Sequence, residues 1–137
     1  MKAPPNTQSN IRASISDAEW QVMDAIWSTP SAAAAAEVIA SLQARTDWSP
    51  RTIKTMLNRL VKKGVLHYQA DGRRYLYRAA VTREKCVRVQ GRSFLDRVFG
   101  GQAGAMLAHF AKHEKLSKKD IEELKSILEQ KSSAAHE

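Results

Sequence analysis

Apolar positions along this chain follow two periods, one of about 3.6 residues and one of two, and each change of period marks an element. Trp20, Met23, Ile26 and Trp27 recur at helical spacing behind Ser16-Asp17-Ala18-Glu19. That tetrad is a capping box, in which Ser16 and Glu19 satisfy each other's backbone donors, with Ile15 and Trp20 placed as a hydrophobic staple. The two tryptophans read as core anchors rather than a stacking platform. Pro30-Ser31 opens a second predicted helix over residues 32–45, rich in alanine and contacting its neighbours through Val38, Ile39 and Leu42. The connector Thr46-Asp47-Trp48, with Trp48 packed under the turn, leads to Ser49 and Pro50, an N-cap and a first-turn proline. The third helix then carries Ile53, Met56, Leu57, Leu60 and Val61 as one apolar stripe and stops at Gly64.

The period then shortens to two. Val65 to Tyr68 and Tyr75 to Tyr77 flank Asp71-Gly72, which predicts a two-stranded hairpin turning at those two residues. Helical spacing returns after Val81. Thr82 caps a helix bearing Val87, Phe94, Leu95, Val98 and Phe99 and ending at Gly100-Gly101. A further segment offers Met106, Leu107 and Phe110. The last, opened by Ser117 with Asp120 at the third position, carries Ile121, Leu124, Ile127 and Leu128 close to a heptad seam.

Each of these short helices has one apolar face and is marginal without a partner. Residues 81–131 therefore read as a helical dimerisation module built on Phe94, Leu95, Val98, Phe99, Met106, Leu107, Phe110, Ile121, Leu124, Ile127 and Leu128. The competing arrangement folds them back as a monomeric bundle. Residues 1–13, with two prolines and small polar residues, and residues 132–137 are expected to be disordered.

Charge sharpens the picture. Of the formal net charge of +8 over 137 residues, +7 lies between Ser49 and Arg78, where eight Lys/Arg (51, 54, 59, 62, 63, 73, 74, 78) stand against Asp71. Opposite the apolar stripe of the third helix lie Arg51, Thr55, Asn58 and Lys62, flanked by Thr52, Lys54 and Arg59, with no acid among them. Cations interleaved with short hydrogen-bonding side chains, followed by an arginine-tipped hairpin (Arg73, Arg74, Tyr75), are what a winged helix-turn-helix needs to read double-stranded DNA. Lys62 and Lys63 alone also fit a merely solvated face. The fold class is thus mainly α with a small β wing: a winged helix-turn-helix DNA-binding domain over residues 14–80, then the helical module. A winged helix used for protein interaction or RNA binding is the alternative; the first predicts an apolar or mixed surface where this one is cationic.

Other chemistries find little support. One cysteine, Cys86, excludes an internal disulfide and a cysteine-rich metal cage, and fits a reducing cytoplasm. There is no G-x-S-x-G, no phosphate loop and no partner for Cys86 as nucleophile, so the chain does not read as an enzyme. His109 and His113 stand four apart, but no third ligand or HExxH glutamate accompanies them; no metal or cofactor is expected. No apolar leader or membrane-length run occurs, so no membrane insertion is expected.

The order I-S-D-A-E-W-Q-V-M-D-A-I-W (15–27), S-P-R-T-I-K-T-M-L-N-R-L-V-K-K-G (49–64), aromatic wing, and F-L-D-R-V-F-G-G (94–101) resembles the bacterial penicillinase-repressor family over residues 14 to 130. The resemblance implies a homodimeric winged-helix repressor on a two-fold symmetric operator before β-lactamase or related genes. Its reading helix corresponds to Arg51, Thr52, Lys54, Thr55, Asn58 and Arg59, and its wing to Arg73, Arg74 and Tyr75. A copper-responsive branch of the family carries paired C-terminal cysteines, which this chain, ending K-S-S-A-A-H-E, lacks. In the antibiotic-responsive branch a membrane-anchored receptor with a zinc-protease domain leads to cleavage at an Asn-Phe bond. The similar stretch here, Ala105 to Lys112, keeps Phe110 and has His109 in place of the asparagine, making His109-Phe110 the implied cleavage site.

Overall fold

The computed structural model describes residues 15–135, in two compact units divided between Phe94 and Leu95. The predicted lead over residues 1–13 and the last two residues of the predicted tail lie outside the described residues.

In the first unit, helix α1 (Asp17–Trp27) starts as its local sequence dictates: Ser16 Oγ accepts from Glu19 N–H at 3.1 Å and Glu19 Oε1 accepts from Ser16 N–H at 2.9 Å. Residues 32–45 do not form the single helix expected. Ala33–Ala34 form strand β1, and helix α2 spans Ala35–Gln43. The intrinsic helix preference of alanine is worth only tenths of a kcal/mol per residue, and a free sheet edge overrides it. Small side chains suit the place, because Ala33 and Ala34 pair with Tyr77 and Leu76 and are themselves buried.

Helix α3 (Pro50–Lys62) is capped by Ser49, whose Oγ accepts from Thr52 N–H at 3.1 Å. It ends in a Schellman motif: Gly64 takes φ 80°, Val65 N–H reaches Leu60 C=O at 3.2 Å, and Gly64 N–H reaches Val61 C=O at 3.0 Å. Strands β2 (Leu66–Asp71) and β3 (Arg74–Ala79) follow, and the sheet is three-stranded in the order β1-β3-β2, antiparallel throughout, rather than a two-stranded ribbon. Three helices backed by this sheet make a winged helix-turn-helix. Its core is Val22, Met23, Leu42, Ile53, Leu57, Leu60, Val65 and Leu66, all essentially inaccessible, with Trp20, Trp27 and Trp48 packed at its margin.

Helix α4 (Arg83–Phe99) begins inside this first unit. Thr82 Oγ1 caps it through Lys85 N–H at 3.1 Å, the Trp27 indole N–H donates to Val81 C=O at 3.0 Å, and Cys86 is fully buried in the core. The boundary expected at residues 80/81 therefore moves to 94/95, because Val81, Cys86 and Val89 complete the winged-helix core. Burial pushes the Cys86 thiol up, which lowers the share of reactive thiolate.

In the second unit the chain turns at Gly100 and Gly101, both with positive φ, into helices α5 (Ala103–His113) and α6 (Lys118–Ala135). Ser117 and Asp120 cap α6 reciprocally at 3.0 and 3.1 Å. Helix α6 continues to Ala135, so residues 132–135, expected to be disordered, are helical. Among the described residues no helix is long and apolar enough to cross a membrane.

Candidate nucleic-acid interface

At 100° per residue, α3 divides cleanly. Ile53, Met56, Leu57 and Leu60 are buried on one side, and Arg51, Thr55, Asn58 and Lys62 run along the opposite side, all exposed. Thr52 and Arg59 flank that stripe on one edge and Lys54 on the other; these too are exposed. Among the described residues, Arg51, Lys54, Arg59, Lys62 and Arg73 have no ion-pair partner, so their charge is available to an outside anion. The Thr55 hydroxyl donates to Arg51 C=O at 3.0 Å, and the residue is otherwise exposed.

The wing differs from expectation in its turn. Asp71 pairs with Arg74, so the two-residue loop is Gly72-Arg73 rather than Asp71-Gly72. Gly72 has φ 65° and Arg73 does not have a positive φ, a pattern in which only the first loop position needs glycine. This register puts Arg73 at the very tip. Arg74 Nη2 lies 3.3 Å from Asp71 Oδ2, an exposed pair that solvent screens.

Lys63 leaves the basic surface. Its Nζ donates to Glu19 Oε1 at 2.7 Å and Oε2 at 3.0 Å, and Glu19 is buried. Glu19 was legible as a helix cap, but its second role depends on a residue 44 positions away. Burial alone pushes the Glu19 carboxyl up; the hydrogen bonds from Lys63 and Ser16 outweigh it and hold the group below its ordinary range.

The sheet sets two further tyrosines beside Tyr75, which the sequence reading already placed on the wing. Tyr68, Tyr75 and Tyr77 share one face by register, with Tyr68 and Tyr75 half exposed and edge to face at 5.4 Å. Tyr77 is buried behind them, its ring 6.4 Å from Tyr68, and burial pushes its phenol up, helped by the two neighbouring tyrosines. Across an open groove of about 350 Å³ this face meets Asn58, Val61 and Lys62 of α3, so helix and wing form one continuous surface.

The residues expected at a dimer face lie on the α4 end, α5 and α6. Leu95 is buried and Phe99 and Met106 are half-buried, while Phe94, Val98, Leu107, Phe110, Ile121, Leu124, Ile127 and Leu128 are exposed. The Phe99 ring lies 6.0 Å from His109 and 6.3 Å from Phe110. The rings of His109 and His113 are 4.5 Å apart, and among the described residues no third histidine, cysteine or carboxylate joins them.

Comparison with known proteins gives one answer. The sequence profile of the penicillinase repressor family matches residues 15–130. The penicillinase repressor of Bacillus licheniformis is 40% identical over 116 residues, covering 85% of this chain and 90% of that protein. The methicillin resistance regulatory protein MecI of Mammaliicoccus sciuri is 36% identical over 117 residues, covering 85% and 94%. Among solved structures, the DNA-binding domain of the repressor BlaI is similar at 41% identity and a TM-score of 0.48, covering 61% of this chain and 90% of that one. With a profile spanning both units and relatives matched over nearly their whole length, the chain belongs to the penicillinase repressor family, whose members are transcriptional regulators and not enzymes.

Proposed function

We propose that this protein represses transcription by binding a two-fold symmetric operator in double-stranded DNA as a homodimer. The observation that carries it is the exposed side of α3: Arg51, Lys54, Arg59 and Lys62 without ion pairs among the described residues, Thr55 and Asn58 between them, and no acid. A helix so furnished presents hydrogen-bonding groups to base edges, while Arg73 at the wing tip reaches the sugar–phosphate backbone. One winged helix reads a short half-site, and pairing two supplies the rest. The exposed Leu107, Ile121, Leu124 and Leu128 support pairing through α5 and α6. The relatives include a BlaI form from Bacillus licheniformis solved in complex with the blaP half-operator.

By this reading the controlled genes are a β-lactamase or related resistance genes, the protein works in the cytoplasm, and a membrane-anchored zinc-protease receptor system relieves repression by a cut between His109 and Phe110. Competition titration of operator against scrambled duplex tests the DNA-reading core of the proposal. Arg51→Ala or Asn58→Ala should remove about 1–3 kcal/mol of operator preference per base contact. Equal loss on both duplexes would overturn base readout by α3, and protection of single-stranded RNA or a protein partner in place of duplex would overturn the DNA assignment.

A further inference from the structure

The groove between α3 and the wing has a composition that the proposed reading helix and arginine tip do not account for. Its walls are Asn58, Val61 and Lys62 on the helix and Tyr68, Tyr75 and Tyr77 on the sheet. The polar ends available to it are one ammonium, one amide and the hydroxyls of two half-exposed tyrosines. No carboxylate lines it, and among the described residues none of those four groups has a hydrogen-bond or ion-pair partner. Four donors around an open trough with a single positive charge suit a singly charged anion that is all acceptor, repeated along an extended chain.

We infer that this groove seats one sugar–phosphate strand of the DNA, with Tyr68 and Tyr75 donating to a phosphate that Lys62 neutralises. The inference rests on the DNA-binding reading and deepens it. A helix in the major groove and a wing tip on the flanking backbone are separated by the strand that runs between the two grooves, and the trough lies between those two protein elements. The aromatic rings fix the hydroxyls: Tyr68 stands edge to face against Tyr75 and leans on buried Tyr77, so neither phenol has to be ordered when the strand arrives. Tyr68 is thereby a DNA-contacting residue on an edge strand, although its sequence position marks it only as part of an alternating ribbon. The contact is to phosphate, so it tightens binding to every sequence and contributes nothing to choosing among them.

Removing only the hydroxyls tests this with the full chain. Tyr68→Phe and Tyr75→Phe should each weaken binding to operator and scrambled duplex alike by roughly ten- to a hundredfold, the size of one hydrogen bond to a charged group, with circular dichroism and melting temperature unchanged. A set of operators each carrying one neutral methylphosphonate should contain a position in each half-site where wild-type binding falls and Tyr68→Phe causes no further loss. Wild-type affinity from both phenylalanine variants, or a loss confined to the operator, would overturn the phosphate seat while leaving α3 readout standing. A wild-type protein that ignores duplex DNA would instead overturn the parent reading.

Discussion

Glu19 and Lys63, 44 residues apart, lock the start of α1 to the end of α3 through contacts of 2.7 and 3.0 Å. The same carboxylate caps α1 through Ser16 N–H, so one side chain orders a helix and fixes the far end of α3. Glu19→Gln leaves a half-buried ammonium without this counter-charge and should cost about 3 kcal/mol in denaturant titrations, the low end for breaking a buried pair because Lys63 keeps some solvent contact. The folded carboxyl titrates below the ordinary value of 4.5, so the pair stabilises fully above that pH and its contribution is lost as pH falls through the folded value. Between about pH 5 and about pH 3 wild type should therefore lose more stability than Glu19→Gln; parallel curves would refute the linkage.

Gly64 contributes to the fold through its backbone alone. Its φ of 80° closes the Schellman motif that turns α3 into the sheet. Gly64→Ala should lower stability by about 1 kcal/mol, without touching any side chain on the exposed side of α3. Operator affinity at saturating protein folding should be unchanged, which a melt and a titration on the same sample decide together.

These two positions also show what a sequence can and cannot disclose. Capping is local, so Ser16 with Glu19, Ser49 with Thr52 N–H, and Ser117 with Asp120 were all readable within four residues. The exposed side of α3 was readable too, since helical periodicity fixes which residues lie opposite Ile53, Leu57 and Leu60. Long-range pairing was not. Ala33 and Ala34 become a strand only because the edge of β3, more than 40 residues on, is free to receive them, and an alanine run taken alone favours helix. Tyr68 escaped notice because strand alternation does not say which face of a ribbon a distant helix will partly cover. The Gly72-Arg73 loop, one residue later than Asp-Gly suggested, follows from the Asp71–Arg74 pairing rather than from turn propensity.

Arg73, at the tip of that loop and without an ion-pair partner among the described residues, should act through charge alone. Arg73→Ala is expected to reduce the slope of log affinity against log salt by about 1, on any duplex. Arg74→Ala should change the slope less, because Asp71 already offsets part of its charge at 3.3 Å. Equal slopes for the two variants would contradict this division.

The dimer reading places charge-sensitive positions on α6. Leu124 is exposed in the single chain and lies one helical turn from Ile121 and Leu128. Leu124→Asp should produce monomers in sedimentation runs while the first unit, whose core contains no α6 residue, melts as before. An unchanged dimer would move the interface elsewhere.

His109 and Phe110 are both exposed on α5, but they sit inside a helix, and a protease needs its substrate extended in the cleft. Cutting must therefore be preceded by local opening of α5, whose first turn lacks a side-chain cap at Gln102. Cleavage would sever α6, with its Ile121, Leu124, Ile127 and Leu128, from the DNA-binding unit. Two linked half-site contacts would become independent, a change worth about 10²–10⁴ in affinity with no DNA contact altered. Replacing Gln102 by Ser, a better cap, should hold α5 closed and slow the cut while leaving operator binding intact. Mass spectrometry of the repressor from β-lactam-treated cells gives the decision. A fragment beginning at Phe110, reduced by Gln102→Ser and abolished by Phe110→Asp in a variant that still represses, is the expected result; an intact chain on a derepressed promoter would exclude proteolysis as the inducing step.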